Sequence, residues 1–170
     1  MNFDKVLGDR YSVRKFSSKK VEPEKREAIL KAARSAPTAR NIQPQRLYVV
    51  ESDEFLRAMK KCTKYTFDAP LIIVVCYDRD EAWVRPYDNE HGGPTDASIV
   101  GTYIMLKAQE LGLGSTWVGM FHPDEVHKQL NIPEHIVPHA IFPIGYPAED
   151  CEPAPKHFDR KPVSEITTYL

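Results

Sequence analysis

Apolar residues recur along the chain with two periods, in blocks separated by proline and glycine. Residues 24–34 carry Ala28, Ile29, Ala32 and Ala33 at helical spacing, with Pro23 where a first turn tolerates it and Pro37 beyond the end. The short run 47–50 predicts a strand, and 53–62 a second helix with Phe55, Leu56 and Met59 inward. Pro70 then opens Leu71-Ile72-Ile73-Val74-Val75-Cys76-Tyr77, apolar on both faces and rich in β-branched residues, as a central strand covered on two sides must be. The longest helical pattern spans 95–111. Ala97, Val100, Ile104, Ala108 and Leu111 share one face, Ile99, Tyr103, Met105 and Leu106 widen it, and Gly112 stops it. So broad an apolar surface predicts a core or dimer helix. Residues 115–119 suit a strand, 123–130 a short helix, and 137–146 another apolar strand in which Pro143 argues for an edge or a bulge.

Between these blocks, residues 79–94 turn to charge, glycine, proline and aromatics, which predicts a loop and a candidate lid. Residues 147–155 form a proline-rich connection. The tail that follows ends with Ile166, Tyr169 and Leu170, which would waste apolar surface in solvent, so it is expected to dock on its own chain or on a partner. Strands and helices do not alternate regularly, and the order predicts a single α+β domain over residues 1–170.

Composition narrows the function classes. With 42% hydrophobic and 28% charged residues the chain has a globular balance, and no apolar run approaches the roughly 20 residues of a membrane helix. The expected compartment is the cytoplasm, with no membrane partner. A net charge of −1 gives no footprint for nucleic acid. The charge is unevenly placed, however. Arg10, Arg14, Lys15, Lys19 and Lys20 stand without an acid between them, and Lys156, Arg160 and Lys161 recur near the other end. Arginines from both ends could converge on a phosphate, which a guanidinium grips with a planar fork. Cys62, Cys76 and Cys151 make an odd count without a C-x-x-C, and His135 and His139 are separated by Pro138, so no metal site is expected.

Gly112-Leu113-Gly114 lacks the context of a dinucleotide-binding turn, because a helix precedes it and Trp117 occupies the third-glycine position. Three other segments look unlike scaffold: R-Y-S-V-R at 10–14, S-A-P-T-A-R-N-I-Q-P at 35–44 and G-L-G-S-T-W-V-G at 112–119. With the late R-K-P at 160–162 they resemble the nitroreductase family, in order and over almost the whole chain.

That resemblance implies a nitroreductase-like α+β fold with a central, mostly antiparallel sheet flanked by helices. It also implies an intertwined homodimer with an exchanged C-terminal tail and FMN at the subunit interface. Arg10 and Ser12 would hold the FMN phosphate with Arg160, and Arg14 would lie at the pyrimidine edge. Pro37, Thr38, Ala39 and Asn41 would cover the ring from the other subunit, and Val118 and Gly119 would face it, with a backbone N–H of Gly119 or its neighbour directed at N5. Tyr11, Trp117 and Lys161 complete the candidate cofactor set, although Trp117 suits a core position equally and Lys161 an exposed one. NAD(P)H would be the electron donor and a small planar molecule, a nitroaromatic or a quinone, the acceptor, in ping-pong turnover that needs no catalytic side chain. Tyr65, Phe67, Trp83, Tyr87 and His91 are the candidate substrate contacts. Gln45 and Arg46 stand where many relatives carry an aromatic. A non-catalytic flavin carrier or sensor, or a specialised reductive dehalogenase, is the alternative.

Overall fold

The structure, a computed structural model, describes residues 2–170. Its sheet follows from two strands that carry almost no polar side chain. β2 (Leu71–Asp78) pairs antiparallel with β1 (Gln45–Val50) on one side and with β4 (Ile136–Gly145) on the other. The two-residue β3 (Gly114–Ser115) closes the order β1-β2-β4-β3. Because strand side chains alternate, Leu71, Ile73 and Val75 point into one core while Ile72, Val74 and Cys76 point into another. Both cores therefore need a cover.

The first core is covered by α2 (Pro23–Ser35) and α4 (Gly93–Glu110), which contribute Ile29, Ala33, Val100, Ile104 and Ala108 against Phe142 and Ile144. The second is covered by α3 (Asp53–Cys62) and α5 (Pro123–Leu130), through Met59, Cys62 and Val126 against Ile141. Burial alone pushes the Cys76 thiol up to about 12, so it behaves as a small hydrophobe. The remaining elements are α1 (Phe3–Asp9), the 3-10 turns Ala39–Asn41 and Pro155–His157, and the short α5-distal helix α6 (Val163–Ile166). No described helix is long and apolar enough to cross a membrane.

Four expectations need correction. Phe55 is not inward but 44% exposed, since α3 turns it away from the core that takes Met59. Residues 79–94 are not irregular throughout: Val84 and His91 form an antiparallel bridge, and α4 begins two residues early, at Gly93. Of the two surfaces expected to receive the tail, its own chain and a partner, its own chain does not serve. Ile166 and Tyr169 are 69% and 90% exposed.

The other two corrections share a cause. Pro143 lies neither at an edge nor at a bulge; it pairs with Ile72 in an interior strand, and the register shift falls at Val75/Cys76. The strand predicted over 115–119 is laddered only at Gly114–Ser115, with an isolated bridge from Val118 to Ile141. The pairs Gly114↔Gly145, Ser115↔Ile144 and Val118↔Ile141 keep one register. Ile141 exchanges both backbone bonds with Val118, at 2.9 and 3.0 Å, so Pro143, two residues on, faces the same side, opposite Thr116. Having no N–H, Pro143 offers nothing to the Thr116 carbonyl. The ladder fails there, and residues 116–117 leave the sheet.

Two glycines explain the close seat of the N-terminal segment. Gly112 ends α4 with φ +75°, a conformation that favours glycine. Gly114 has no room for a side chain, since a Cβ there would lie 2.4 Å from Val13 Cγ2. Val13, fully buried, bonds through its N–H to the Ser115 carbonyl at 3.1 Å, and Ser12 bridges Ser115 in parallel. Gly114→Ala should therefore destabilise the fold by about 1–3 kcal/mol, at roughly 2–4 °C of Tm per kcal/mol for a chain of this size. Gly119→Ala, whose Cβ would meet only Trp117 Nε1 at 3.8 Å, should leave Tm unchanged. Equal melting of the two variants, followed by circular dichroism, would refute the steric account.

Candidate functional site

The chain freed at Thr116 lines a hollow. Thr116, Trp117, Val118, Gly119 and Met120 form one wall, Arg14 reaches it from the N-terminal segment, and Tyr65 and Phe67 arrive from the turn before β2. Phe67 and Asp68 both have left-handed backbones, φ 51°, in a turn closed by the Ala69 N–H donating to the Thr66 carbonyl at 3.1 Å. Such strain costs about 1–2 kcal/mol for each side-chain-bearing residue and persists only where surrounding packing imposes it.

Trp117 belongs both to the core and to the hollow. Its ring meets Phe142 edge-on at 5.0 Å and His139 at 5.7 Å, yet 36% of the residue stays exposed. Val118 commits both backbone groups to Ile141, so the next N–H, that of Gly119, is the first one free to meet a ligand. Arg14 bonds only the Ser12 carbonyl, at 3.4 Å, and has no carboxylate within 4.0 Å.

The two basic ends of the chain run side by side. Tyr11 donates its hydroxyl to the Cys151 carbonyl at 3.1 Å and its ring meets His157 edge-on; Lys15 pairs with Asp150, and the Ala148 N–H donates to the Lys15 carbonyl. Tyr11 is thus a strut. Three residues beyond His157 stands Arg160, exposed and, like Arg10, without a carboxylate within 4.0 Å. Lys161, by contrast, pairs with Glu165.

Pro37, Thr38, Ala39 and Asn41 do not line the hollow on their own chain. They belong to a loop in which Arg40, Asn41 and Gln43 all have positive φ, at 53°, 55° and 58°. Two contacts hold it: the Gln43 N–H donates to Thr38 Oγ1 at 3.0 Å, and the Ala39 N–H to Asp96 Oδ1 at 2.9 Å. Asp96 was not singled out by the sequence. It is only 2% exposed, in the first turn of α4, and its second oxygen has no partner. An acid just inside a long helix is the one signal that could have marked it, since a helix N-terminus favours negative charge.

Of the lid candidates, none lines the hollow. Tyr87 is 94% exposed, Trp83 accepts the Gly92 N–H through its carbonyl, and His91 bonds the Arg79 carbonyl and the Gly93 N–H while packing on Tyr77. Gln45 and Arg46 open β1, where Arg46 pairs with Asp78 and Glu81. No cluster of three or more metal-ligating side chains occurs among the described residues.

A family model described as the nitroreductase family matches residues 7–65 and 57–146. This chain belongs to the nitroreductase family. A crystal structure of a nitroreductase family protein from Clostridium difficile 630 superposes with a TM-score of 0.93 at 42% identity, covering 99% of this chain and 98% of that one. An FMN-dependent nitroreductase from Clostridium difficile R20291 does so with a TM-score of 0.82 at 29% identity, covering 98% of each. The FMN reductase [NAD(P)H] of Bacillus subtilis strain 168 is 26% identical over 184 residues, covering 98% of this chain and 74% of its own length.

Behind the hollow, His139 is half-buried between Trp117 and Tyr77. Ser98 donates its hydroxyl to the Pro94 carbonyl at 2.8 Å, which leaves its oxygen to accept from His139 Nε2, 2.9 Å away. Burial lowers the His139 pKa below 6.5, so the fold favours the neutral ring. The stabilisation is complete above the unfolded value and is lost as pH falls through the lowered folded value. Tm should hold steady above about pH 7 and drop below about 6.5, and His139→Gln should flatten that part of the profile. Parallel profiles for variant and parent would remove His139 as the cause.

Proposed function

We propose that the chain is an NAD(P)H-dependent FMN oxidoreductase that works as a homodimer, by ping-pong turnover, on a small planar acceptor such as a nitroaromatic or a quinone. The observation that carries this is the convergence of Arg14, Trp117, Val118 and Gly119 on one hollow, within a chain of this family. The donor set of the hollow fits FMN: Arg14 free of carboxylates, an uncommitted N–H at Gly119 and aromatic walls, with Arg10 and Arg160, which do not line it, also free of carboxylates.

The enclosure fits it only in part. The hollow measures about 200 Å³, below the roughly 300–1,000 Å³ of small-molecule sites. A second copy would complete it, bringing the strained 38–43 loop, which does not line this hollow on its own chain. Two apolar surfaces favour such a dimer. One is the tail; the other is a groove of about 420 Å³ between α1, α2 and α4, lined by Phe3, Val6, Ala32, Tyr103 and Leu106.

FMN held there would supply hydride and electron transfer between the nicotinamide and the acceptor, so the covalent change would be confined to cofactor and substrates. Arg10, Ser12 and Arg160 would hold its phosphate. Arg14 would set a fixed positive charge near the part of the ring that gains negative charge on reduction. Gly119 would offer its N–H to the ring, Trp117 would back it, and Tyr65 and Phe67 would border the side open to the acceptor. No side chain need act as acid or base.

The visible spectrum of the purified protein tests the proposal. A yellow protein that releases about one FMN per subunit on heating, and that consumes NAD(P)H steadily with a quinone, is expected. A protein that binds FMN without consuming NAD(P)H would be a carrier or sensor, and one that takes up no FMN would sink the proposal. Arg14→Gln should lower the reduction potential by roughly 30 mV or more, about 1.4 kcal/mol for two electrons, while Arg10→Gln should chiefly weaken FMN binding. An unchanged potential in the Arg14 variant counts against its role.

Removing residues 162–170 should convert the dimer to monomer in sedimentation velocity, with loss of FMN. A truncated protein that stays dimeric and yellow would show that the tail is not exchanged.

A further inference from the structure

A second hollow, of about 380 Å³, adjoins the first and shares Tyr65 and Met120 with it. Its rim is formed by the end of α3 with the turn after it, residues 60–65, and by residues 120–122, tied together at two points, with a third bond inside the first segment. Thr63 Oγ1 donates to the Met120 carbonyl at 2.7 Å and accepts the Tyr65 N–H at 3.2 Å, and the His122 N–H donates to the Cys62 carbonyl at 2.8 Å. The rim is therefore fixed in place.

Its charge is one-sided. Lys60, Lys61, Lys64 and His122 line it, and no carboxylate does. Lys60 is answered by Asp68 at 2.6 Å, but Lys61 and Lys64 have no carboxylate within 4.0 Å, and Lys64 Nζ stands 5.2 Å from the centre of the Tyr65 ring. Glu125 on α5 acts on the buried Cys62 but accepts a hydrogen bond from Gln129 and does not line the hollow. Met120, 68% exposed, and Phe121 add an apolar floor between the cations.

We infer that this hollow binds the phosphate-bearing half of the donor dinucleotide, with Lys61 and Lys64 on its phosphates and Met120 and Phe121 against its adenosine. The inference rests on NAD(P)H being the donor, and it answers a need the first hollow leaves open. A nicotinamide placed beside Trp117 and Gly119 has a long anionic remainder, and the edge of the site at Tyr65 and Met120 is where cations wait unpaired. Lysine suits this task, since it meets a mobile phosphate as a point charge without requiring a fixed planar geometry.

The test compares the FMN-loaded parent with a Lys61→Ala/Lys64→Ala double variant. Loss of two exposed charge contacts should raise the KM for the donor about tenfold, with kcat at saturating donor and the KM for an uncharged quinone unchanged. The parent's donor KM should rise with salt and the variant's should not. Isothermal titration with adenosine 2′,5′-bisphosphate gives a reading independent of turnover and should show the same loss. A rise for NADPH alone assigns the lysines to the 2′-phosphate, and an equal rise for NADH assigns them to the pyrophosphate. A donor KM within twofold of the parent for both dinucleotides overturns the inference, as does a variant that loses FMN or shifts only the quinone KM. Should the parent consume no NAD(P)H at all, the proposed function fails first, and bisphosphate binding still decides whether the cations form an anion site.

Discussion

A strand buried on both faces is the constraint on which the rest of this molecule depends. β2 presents apolar side chains to two cores, and a sheet with two dry faces must carry helices on each. That requirement places α2 and α4 on one side and α3 and α5 on the other, and leaves the ends and margins of the sheet as the only ground for a site. The candidate site lies on such a margin, where β3 falls away from β4.

A single missing hydrogen creates that margin. From Gly114 to Val118 the chain keeps one register against β4, and it would be an ordinary strand if residue 143 could donate an N–H. Proline cannot, so Thr116 and Trp117 turn out of the ladder while Val118 returns to it. The result is a wall whose side chains and N–H groups are available to a ligand, although both its ends are anchored. Trp117 shows the same division: one edge packs on Phe142 and His139, and the other stays open. A site built this way is held by the core without being consumed by it.

Much of this was legible in the sequence. The double-faced strand, α2, α3, α4 and α5 all follow from apolar spacing, because burial imposes a period on any element that covers a core. The N-terminal and G-L-G-S-T-W-V-G segments stood out as unlike scaffold, and Gly112 and Gly114 now supply the reason: one permits a left-handed turn, the other lets Val13 lie against the backbone. Pro143 signals an edge or a bulge by sequence, yet it stands at neither, in a strand paired with β2. Proline forbids a ladder bond only on the side its nitrogen faces, and no local pattern says which side that is. Asp96 was illegible for a related reason, since its contact with Ala39 spans 57 residues. Trp83, Tyr87 and His91 attracted notice as aromatics in a loop, yet a loop's composition does not reveal whether it folds over a site or onto itself.

The incompleteness of the single chain is itself a physical statement. Strained loops, buried orphan oxygens and exposed apolar tails each raise the free energy of an isolated monomer, and this chain has all three. Arg40, Asn41 and Gln43 sit in left-handed conformations, Asp96 holds one oxygen without a partner, and Val163, Ile166, Tyr169 and Leu170 lie open to water. The loop's strain is held within the chain by the Ala39–Asp96 and Gln43–Thr38 bonds, whereas the apolar tail lies uncovered. A second copy, as proposed above, would bury the tail and bring the 38–43 loop to the hollow in one event, and assembly and cofactor binding would then be mutually dependent, because each would stabilise the state the other requires.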